Sequence, residues 1–211
     1  SKPFDGIDKI DAQGIVDHLD QFGGKYGLAC QSGCLIKCSN YFVDNNGEHT
    51  ASSFNYETLG LLGSNLMIDS LDDITRIKQK CDDKGIDTIE MGASLGIMME
   101  AGILAWGDGK AALEMATQLT SGGEYAKEFA QGIDSFGAFL NVDRIPSVRG
   151  QSFPAYDVRN NKGLGVSYLI GTMGADHTVG PGKPDEEGNY LKNSTISMNM
   201  LAGFDNFFCL F

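Results

Sequence analysis

The sequence predicts a mainly α, multihelical protein, and three observations carry that prediction. Ser70-Leu-Asp-Asp73 and Asp87-Thr-Ile-Glu90 both have the form of a helix-opening capping box, a short polar side chain followed three residues later by an acidic one. Residues 91–106 are apolar on nearly every face, as befits a helix in the middle of a bundle. Two further amphipathic runs, 111–119 and 124–136, are separated by the Gly122-Gly123 break.

Taken in order, residues 1–25 read as one helix with Ile15, Val16, Leu19 and Phe22 on a common stripe. Residues 26–43 hold a cysteine-rich turn and then the extended run Ser39-Asn-Tyr-Phe-Val43, closed by the turn Asp44-Asn-Asn-Gly47. The helix opened at Ser70 runs through Cys81 and stops at Gly85, where glycine accepts the left-handed conformation a helix end favours. Gly107-Asp-Gly109 ends the apolar helix of 91–106. Residues 146–165 are long and irregular, rich in Pro, Gly, Asn and Arg, as functional or disordered segments are. An apolar, small-residue stretch follows over 166–180, then a charged Pro/Gly-rich surface loop over 181–189. The last segment, 196–211, reads as a largely apolar helix. Phe207, Phe208, Leu210 and Phe211 would stand exposed at a natural terminus, so the sequence reads as cut from a longer protein. The division expected is a helical domain over 1–145 and an incomplete second helical domain over 146–211.

Composition narrows the function. With 42% hydrophobic and 21% charged residues the chain is an ordinary globular one. A formal net charge of −12, with no stripe of Lys and Arg, repels phosphate backbones and argues against a nucleic-acid partner. No apolar run reaches the length of a membrane helix, and no basic-then-apolar leader opens the sequence.

The five cysteines are Cys30, Cys34, Cys38, Cys81 and Cys209. An odd count, with three thiols inside nine residues, does not suit a secreted disulfide framework. It favours thiolate ligands in a reducing compartment, the cytoplasm. Cys30-Gln-Ser-Gly-Cys34-Leu-Ile-Lys-Cys38 spaces its thiols evenly, so one loop can offer a thiolate to each of three irons of a 4Fe-4S cluster. A fourth ligand comes from elsewhere, and Cys209 stands in an apolar neighbourhood suited to shielding such a cluster. Cys81, on the helix opened at Ser70, reads as a buried free thiol. Two alternatives remain at this point: a zinc site, although no second close ligand pair accompanies the first, and three unrelated buried thiols.

Five segments resemble the aldehyde ferredoxin oxidoreductase family, whose members hold tungsten or molybdenum between two pterin dithiolenes beside a four-iron cluster. They are Ala29-Cys-Gln-Ser-Gly-Cys-Leu-Ile-Lys-Cys38, Asn55-Tyr-Glu-Thr-Leu-Gly-Leu-Leu-Gly-Ser-Asn65, Cys81-Asp-Asp-Lys-Gly-Ile-Asp-Thr-Ile89, Phe153-Pro-Ala-Tyr-Asp-Val-Arg159 and Gly174-Ala-Asp-His177. They occur in the family's order and at about its separations. The resemblance implies the two C-terminal helical domains of that fold, with the N-terminal pterin-cradling domain absent. It implies Cys30, Cys34, Cys38 and Cys209 as cluster ligands. Asp82, Gly85 and Asp87 match the pterin-binding turn Asp-x-x-Gly-Leu-Asp. The plainer reading, that Gly85 ends one helix and Asp87 caps the next, is compatible with it, since a helix N-terminus offers free N–H groups to a polar ligand. Glu57 matches a glutamate near the metal, suited to general-base work, and His177 a histidine near the same metal. Arg159 is placed either on a pterin phosphate or in a structural salt bridge, and Asp205 near a second pterin.

The sequence departs from the pattern in places. The first cysteine gap is one residue wider than in familiar members. Phe204-Asp-Asn-Phe-Phe-Cys209 sets Asp205 one residue closer to its cysteine than Asp-x-x-Gly-Leu-Cys does and lacks the glycine. Met173 stands where many members have arginine. The function implied is oxidation of an aldehyde to a carboxylic acid at a tungsten or molybdenum bis-pterin centre. Electrons leave through the cluster to ferredoxin. The resemblance also admits a homodimer of the whole protein, and it implies that the 211 residues alone are inactive. The alternatives are a non-catalytic iron–sulfur electron-transfer or assembly module, a related reductase of another substrate, and a plain helical domain with unligated thiols.

Overall fold

A computed structural model describes residues 4–156, 158 and 162–176. The chain divides into two compact units between Ile145 and Pro146. The fold is mainly α, as the capping and periodicity signals predict.

The first unit opens with two short helices, α1 (Ile7–Ile10) and α2 (Ala12–Phe22), where a single helix was expected. The break falls at Asp11, whose carboxylate accepts from the Gly14 amide and starts α2 afresh. An antiparallel sheet follows in the order β1 (Lys25–Leu28), β2 (Ser39–Val43), β3 (His49–Ser52). Tyr41 pairs with Ser52 and Phe42 with Ala51, and the register then slips before Val43. That irregularity lets the consecutive residues Phe42 and Val43 both face the core. His18 of α2 donates from Nε2 to the Val43 carbonyl at 2.7 Å and stacks on Phe42, which ties helix to sheet. Asn40 closes the far end: its Nδ2 donates to the Phe54 carbonyl at 2.6 Å, and its Oδ1 accepts from the Phe54 amide at 2.9 Å. The turn at 44–47 forms as its sequence demands, with Asp44 Oδ1 accepting from the Asn46 and Glu48 amides.

The helices that carry the core are α3 (Tyr56–Leu62), α4 (Leu71–Lys84), α5 (Thr88–Glu100) and α6 (Gly109–Ser121). α4 packs against α6 and against β3, while α3 packs on α5. Leu66, Ile74, Ile77, Met91, Leu95 and Met98 are fully or almost fully buried between them. Ser70 caps α4 by accepting from the Asp73 amide, and Asp87 caps α5 by accepting from the Ile89 amide. The second capping box is only half realised. Glu90 Oε1 accepts instead from the Ile133 amide at 2.9 Å, a tertiary partner that no local pattern announces. α5 ends at Glu100 rather than reaching Trp106, and turns cover the interval. The run 124–136 is also divided, into α7 (Ala126–Phe129) and α8 (Ile133–Phe139). Gly132 between them sits at φ 88°, a left-handed conformation that no continuous right-handed helix contains.

The second unit holds a small hairpin, β4 (Ser147–Val148) with β5 (Gln151–Ser152), inside the stretch expected to be irregular. Its helix α9 (Lys162–Ile170) spans the end of that stretch and the start of the apolar, small-residue one. Leu164, Tyr168 and Ala175 form its core with Val148, Phe153 and Val158.

Candidate functional site

The connection from β1 to β2 carries Cys30, Cys34 and Cys38, all as free thiols. Cys34 is the innermost, half-buried where its two neighbours are exposed. The backbone N–H groups of Lys37 and then Ile36 point at its sulfur and hold its pKa below the ordinary 9.0; partial burial opposes them, and a hydrogen bond with the Cys30 side chain adds to them. Amide donors aimed at a sulfur stabilise a thiolate, bound or unbound. The structure thus brings Cys30 and Cys34 together. Among the described residues no three His, Cys, Asp or Glu side chains converge as a metal-holding group, so Cys38 does not complete a triad with them. Leu35 and Ile36 at the loop's tip are 93% and 82% exposed, far more than apolar side chains of a finished surface usually are.

Cys81 behaves in the opposite way. It is fully buried in α4, and desolvation, with the charge of Asp82 next, pushes its thiol up to about 12. A thiol held protonated in the core is a packing residue.

Two acidic residues stand at neighbouring helix starts at the other candidate centre. Glu57 lies in the first turn of α3 and Asp87 immediately before α5. The residues that follow them, Thr58 and Thr88, share a hydrogen bond between hydroxyl oxygens 3.1 Å apart. The two helices therefore start side by side, and Glu57 and Asp87 flank one hydroxyl pair. Negative side chains at helix N-termini also complement the helix dipoles. The approach of α3 to α5 depends on Gly92, where an added Cβ would lie 2.7 Å from both the carbonyl oxygen and the Cβ of Leu61.

The turn 82–87 shows the capping geometry in full. Gly85 is left-handed at φ 67°, and the Ile86 amide reaches back to the Cys81 carbonyl at 2.9 Å. Asp82 accepts from Lys78 Nζ at 2.5 Å, one turn earlier in α4. No atom lies within 4 Å of where a Gly85 Cβ would stand, so the turn presents open backbone to a flat ligand. The turn thus leaves its backbone and the Asp87 carboxylate accessible, while the thiol loop offers sulfur donors, Cys30 and Cys34 together and Cys38 apart from them. Arg159, His177, Asp205 and Cys209 lie outside the described residues.

The Thr58–Thr88 pair escapes sequence reasoning, although a signal exists: each threonine directly follows a predicted site carboxylate, in Glu57-Thr58 and Asp87-Thr88. A shallow cleft of about 320 Å³ between α2 and the start of α4 is lined by Lys9, Asp17, His18, Asn45, Asp69 and Asp72. None of the predicted site residues lines it. No helix among the described residues is long and apolar enough to cross a membrane.

A helical frame with a free-thiol loop and paired acidic helix starts is what a domain of a cofactor-bearing oxidoreductase needs. A family model describing domains 2 and 3 of aldehyde ferredoxin oxidoreductase matches residues 1–207 of the chain. The chain belongs to the aldehyde ferredoxin oxidoreductase family. It is similar to the tungsten-containing aldehyde ferredoxin oxidoreductase of Thermococcus kodakarensis, 27% identical over 137 residues, and to that of Pyrococcus furiosus, 26% identical over 140 residues. Each match covers 58% of this chain and 23% of the relative's length.

Proposed function

We propose that the whole protein bearing this chain oxidises an aldehyde to a carboxylic acid at a tungsten or molybdenum bis-pterin centre. Its electrons pass one at a time through a 4Fe-4S cluster to a ferredoxin or a similar one-electron carrier. The observation that carries this reading is the family match over residues 1–207, which includes the thiol loop and the paired helix starts. When bound, the metal–pterin group supplies the two-electron redox chemistry. The chain's own residues supply binding, orientation and proton handling.

In this reading Cys30, Cys34 and Cys38 would supply thiolates to the cluster, and Cys209 would supply the fourth. The amides of Ile36 and Lys37 stabilise the negative sulfur of Cys34 whether or not metal is bound. Asp82, Gly85 and Asp87 receive the polar edge of a pterin; Asp205 and Arg159 meet the same cofactor pair. Aldehyde and water give carboxylate, three protons and two electrons. Glu57 takes a proton from the water that adds to the carbonyl carbon, and His177 donates a hydrogen bond to the carbonyl oxygen. The residues 1–145 and 146–211 act as two helical domains of a longer enzyme, and the 211 residues alone sustain no turnover.

Metal analysis and kinetics of the anaerobically purified full-length protein test this. Tungsten or molybdenum should accompany iron, and aldehyde should reduce a viologen dye. Glu57→Gln should lower kcat by roughly 10²- to 10⁴-fold with both metals retained. Iron without tungsten or molybdenum would assign the protein to electron carriage or assembly, and unchanged turnover in Glu57→Gln would remove that residue's role.

A further inference from the structure

α3 and α5 touch at two successive turns. Thr58 and Thr88 share a hydrogen bond between hydroxyl oxygens 3.1 Å apart, and one turn further along each helix Leu61 lies against Gly92. The second contact is one of packing and sets how near the helices come. It has no preferred direction along the helix axes, whereas a hydrogen bond holds both a distance and an angle. Thr58 is 2% exposed, and its hydroxyl also reaches Oδ1 of Asn55, the residue before α3, at 3.4 Å. An amide oxygen only accepts, so Thr58 donates to Asn55 and accepts from Thr88. The chain Thr88–Thr58–Asn55 thus joins the first residue of α5 to the start of α3.

We propose that Thr58 and Thr88 are positioning residues of the candidate site: their hydroxyl pair locks the axial register of α3 against α5 and so fixes Glu57 relative to the turn 82–87. The inference rests on the roles proposed above for Glu57 and for that turn. Glu57 immediately precedes Thr58, and Asp87, held by the Ile89 amide, immediately precedes Thr88. In that reading the base stands on one helix and the cofactor's polar edge on the start of the other, so the reacting distance depends on how the two helices slide. A misplacement of about 1 Å can lower a rate roughly a hundredfold. A threonine at the first position of a half-buried helix start can leave its hydroxyl to water. Thr88 instead gives it to a buried hydroxyl 30 residues away, at the one place where a slip would move Glu57.

Kinetics and amide hydrogen exchange of the anaerobically purified full-length protein test the proposal. Thr88→Val keeps the side chain's shape and removes its hydroxyl, whereas Thr88→Ser keeps the hydroxyl. Thr88→Val should lower kcat about tenfold with KM and both metals retained, and Thr88→Ser should stay within about threefold of the unsubstituted protein. The losses should not add: in Glu57→Gln, which lacks the group being positioned, Thr88→Val should lower kcat by less than about twofold. Exchange gives a readout independent of turnover. The amides of residues 59–62 bond back along α3, beginning with Leu59 on the Asn55 carbonyl at 3.1 Å. They should exchange about threefold faster in Thr88→Val, with residues 109–121 of α6 unchanged as the control for global folding. Thr58→Val, at the other end of the pair, should behave alike. Unchanged kcat in Thr88→Val, additive losses in the double variant, failure of serine to rescue, or unaltered exchange in α3 would each overturn the proposal. Unchanged turnover in Glu57→Gln would remove the base and with it the purpose of the tie, while a slowed Glu57→Gln beside an unslowed Thr88→Val would strike the tie alone.

Discussion

Replacing Gly92 and Gly96 by alanine, one at a time, tests whether the close approach of α3 to α5 fixes the candidate site. Both glycines lie inside α5, and each change removes the same conformational freedom, a gain of about 1 kcal/mol from helix propensity. Their surroundings differ. A Cβ at Gly92 meets the Cβ, carbonyl oxygen and carbonyl carbon of Leu61 at 2.7, 2.7 and 2.8 Å. Two of these are backbone atoms of α3, so the helices themselves must part. A Cβ at Gly96 meets Asn65 Nδ2 at 3.2 Å and Leu66 Cδ2 at 3.6 Å, both at the ends of side chains that can turn aside. Overpacking against backbone belongs at the upper end of its usual range, about 3 kcal/mol. Subtracting the propensity gain leaves Gly92→Ala about 2 kcal/mol less stable. Gly96→Ala should come out level or up to about 1 kcal/mol more stable. With a urea slope of about 2 kcal/mol per molar, the first variant unfolds at roughly 1 M lower urea and the second at the same concentration or slightly higher. If Gly92→Ala unfolds no earlier than Gly96→Ala, the helices are not held by that contact, and the shared starting point of α3 and α5 needs another cause.

Cys81 should resist alkylation in the folded chain. With its pKa at about 12 against an ordinary 9.0, its thiolate fraction at pH 8 is about 10⁻⁴ instead of about 10⁻¹, so iodoacetamide should react roughly a thousandfold more slowly before burial is counted. The same shift has a sign for stability: the folded chain keeps a proton that the unfolded chain has lost, so the contribution is intact below pH 9.0 and fades as pH rises toward about 12. Asp44 should act at the other end of the scale. The amides of Glu48 and Asn46, with Arg76 beyond them, hold its carboxyl below the ordinary 3.8 against the opposing cost of burial. Its contribution is present above 3.8 and lost as pH falls through the lower folded value, so Asp44→Asn should unfold with a flatter acid limb in a pH titration of urea midpoints.

The parts of the fold legible in the sequence are those fixed by local chemistry. Ser70 and Asp87 cap helices because a short side chain reaches an amide two or three residues on, wherever the helix later packs. The parts that were missed depend on distant partners. β1 and β3 are four residues each, Lys25–Leu28 and His49–Ser52, and neither forms without β2 between them. Glu90 looks like the closing half of a capping box and instead holds the Ile133 amide, 43 residues away. Gly132, one glycine in an otherwise helical pattern, breaks what periodicity alone would continue. At the site, the thiol loop announces itself by spacing. The side-by-side start of α3 and α5 does not, because it depends on Gly92 admitting Leu61.

Gly85 and Asp87 show why the capping reading and the ligand reading need not compete. One carboxylate oxygen of Asp87 holds the Ile89 amide, which fixes where the side chain stands before any ligand arrives. Gly85 turns the chain without a side chain to obstruct the approach. Thr88 then bonds Thr58, so the position of Asp87 is transmitted to the first turn of α3 and hence to Glu57. Each residue is held by an interaction that folding already requires. A ligand binding across this edge would therefore find its polar contacts set by the helices themselves, and would spend little of its binding free energy on ordering them.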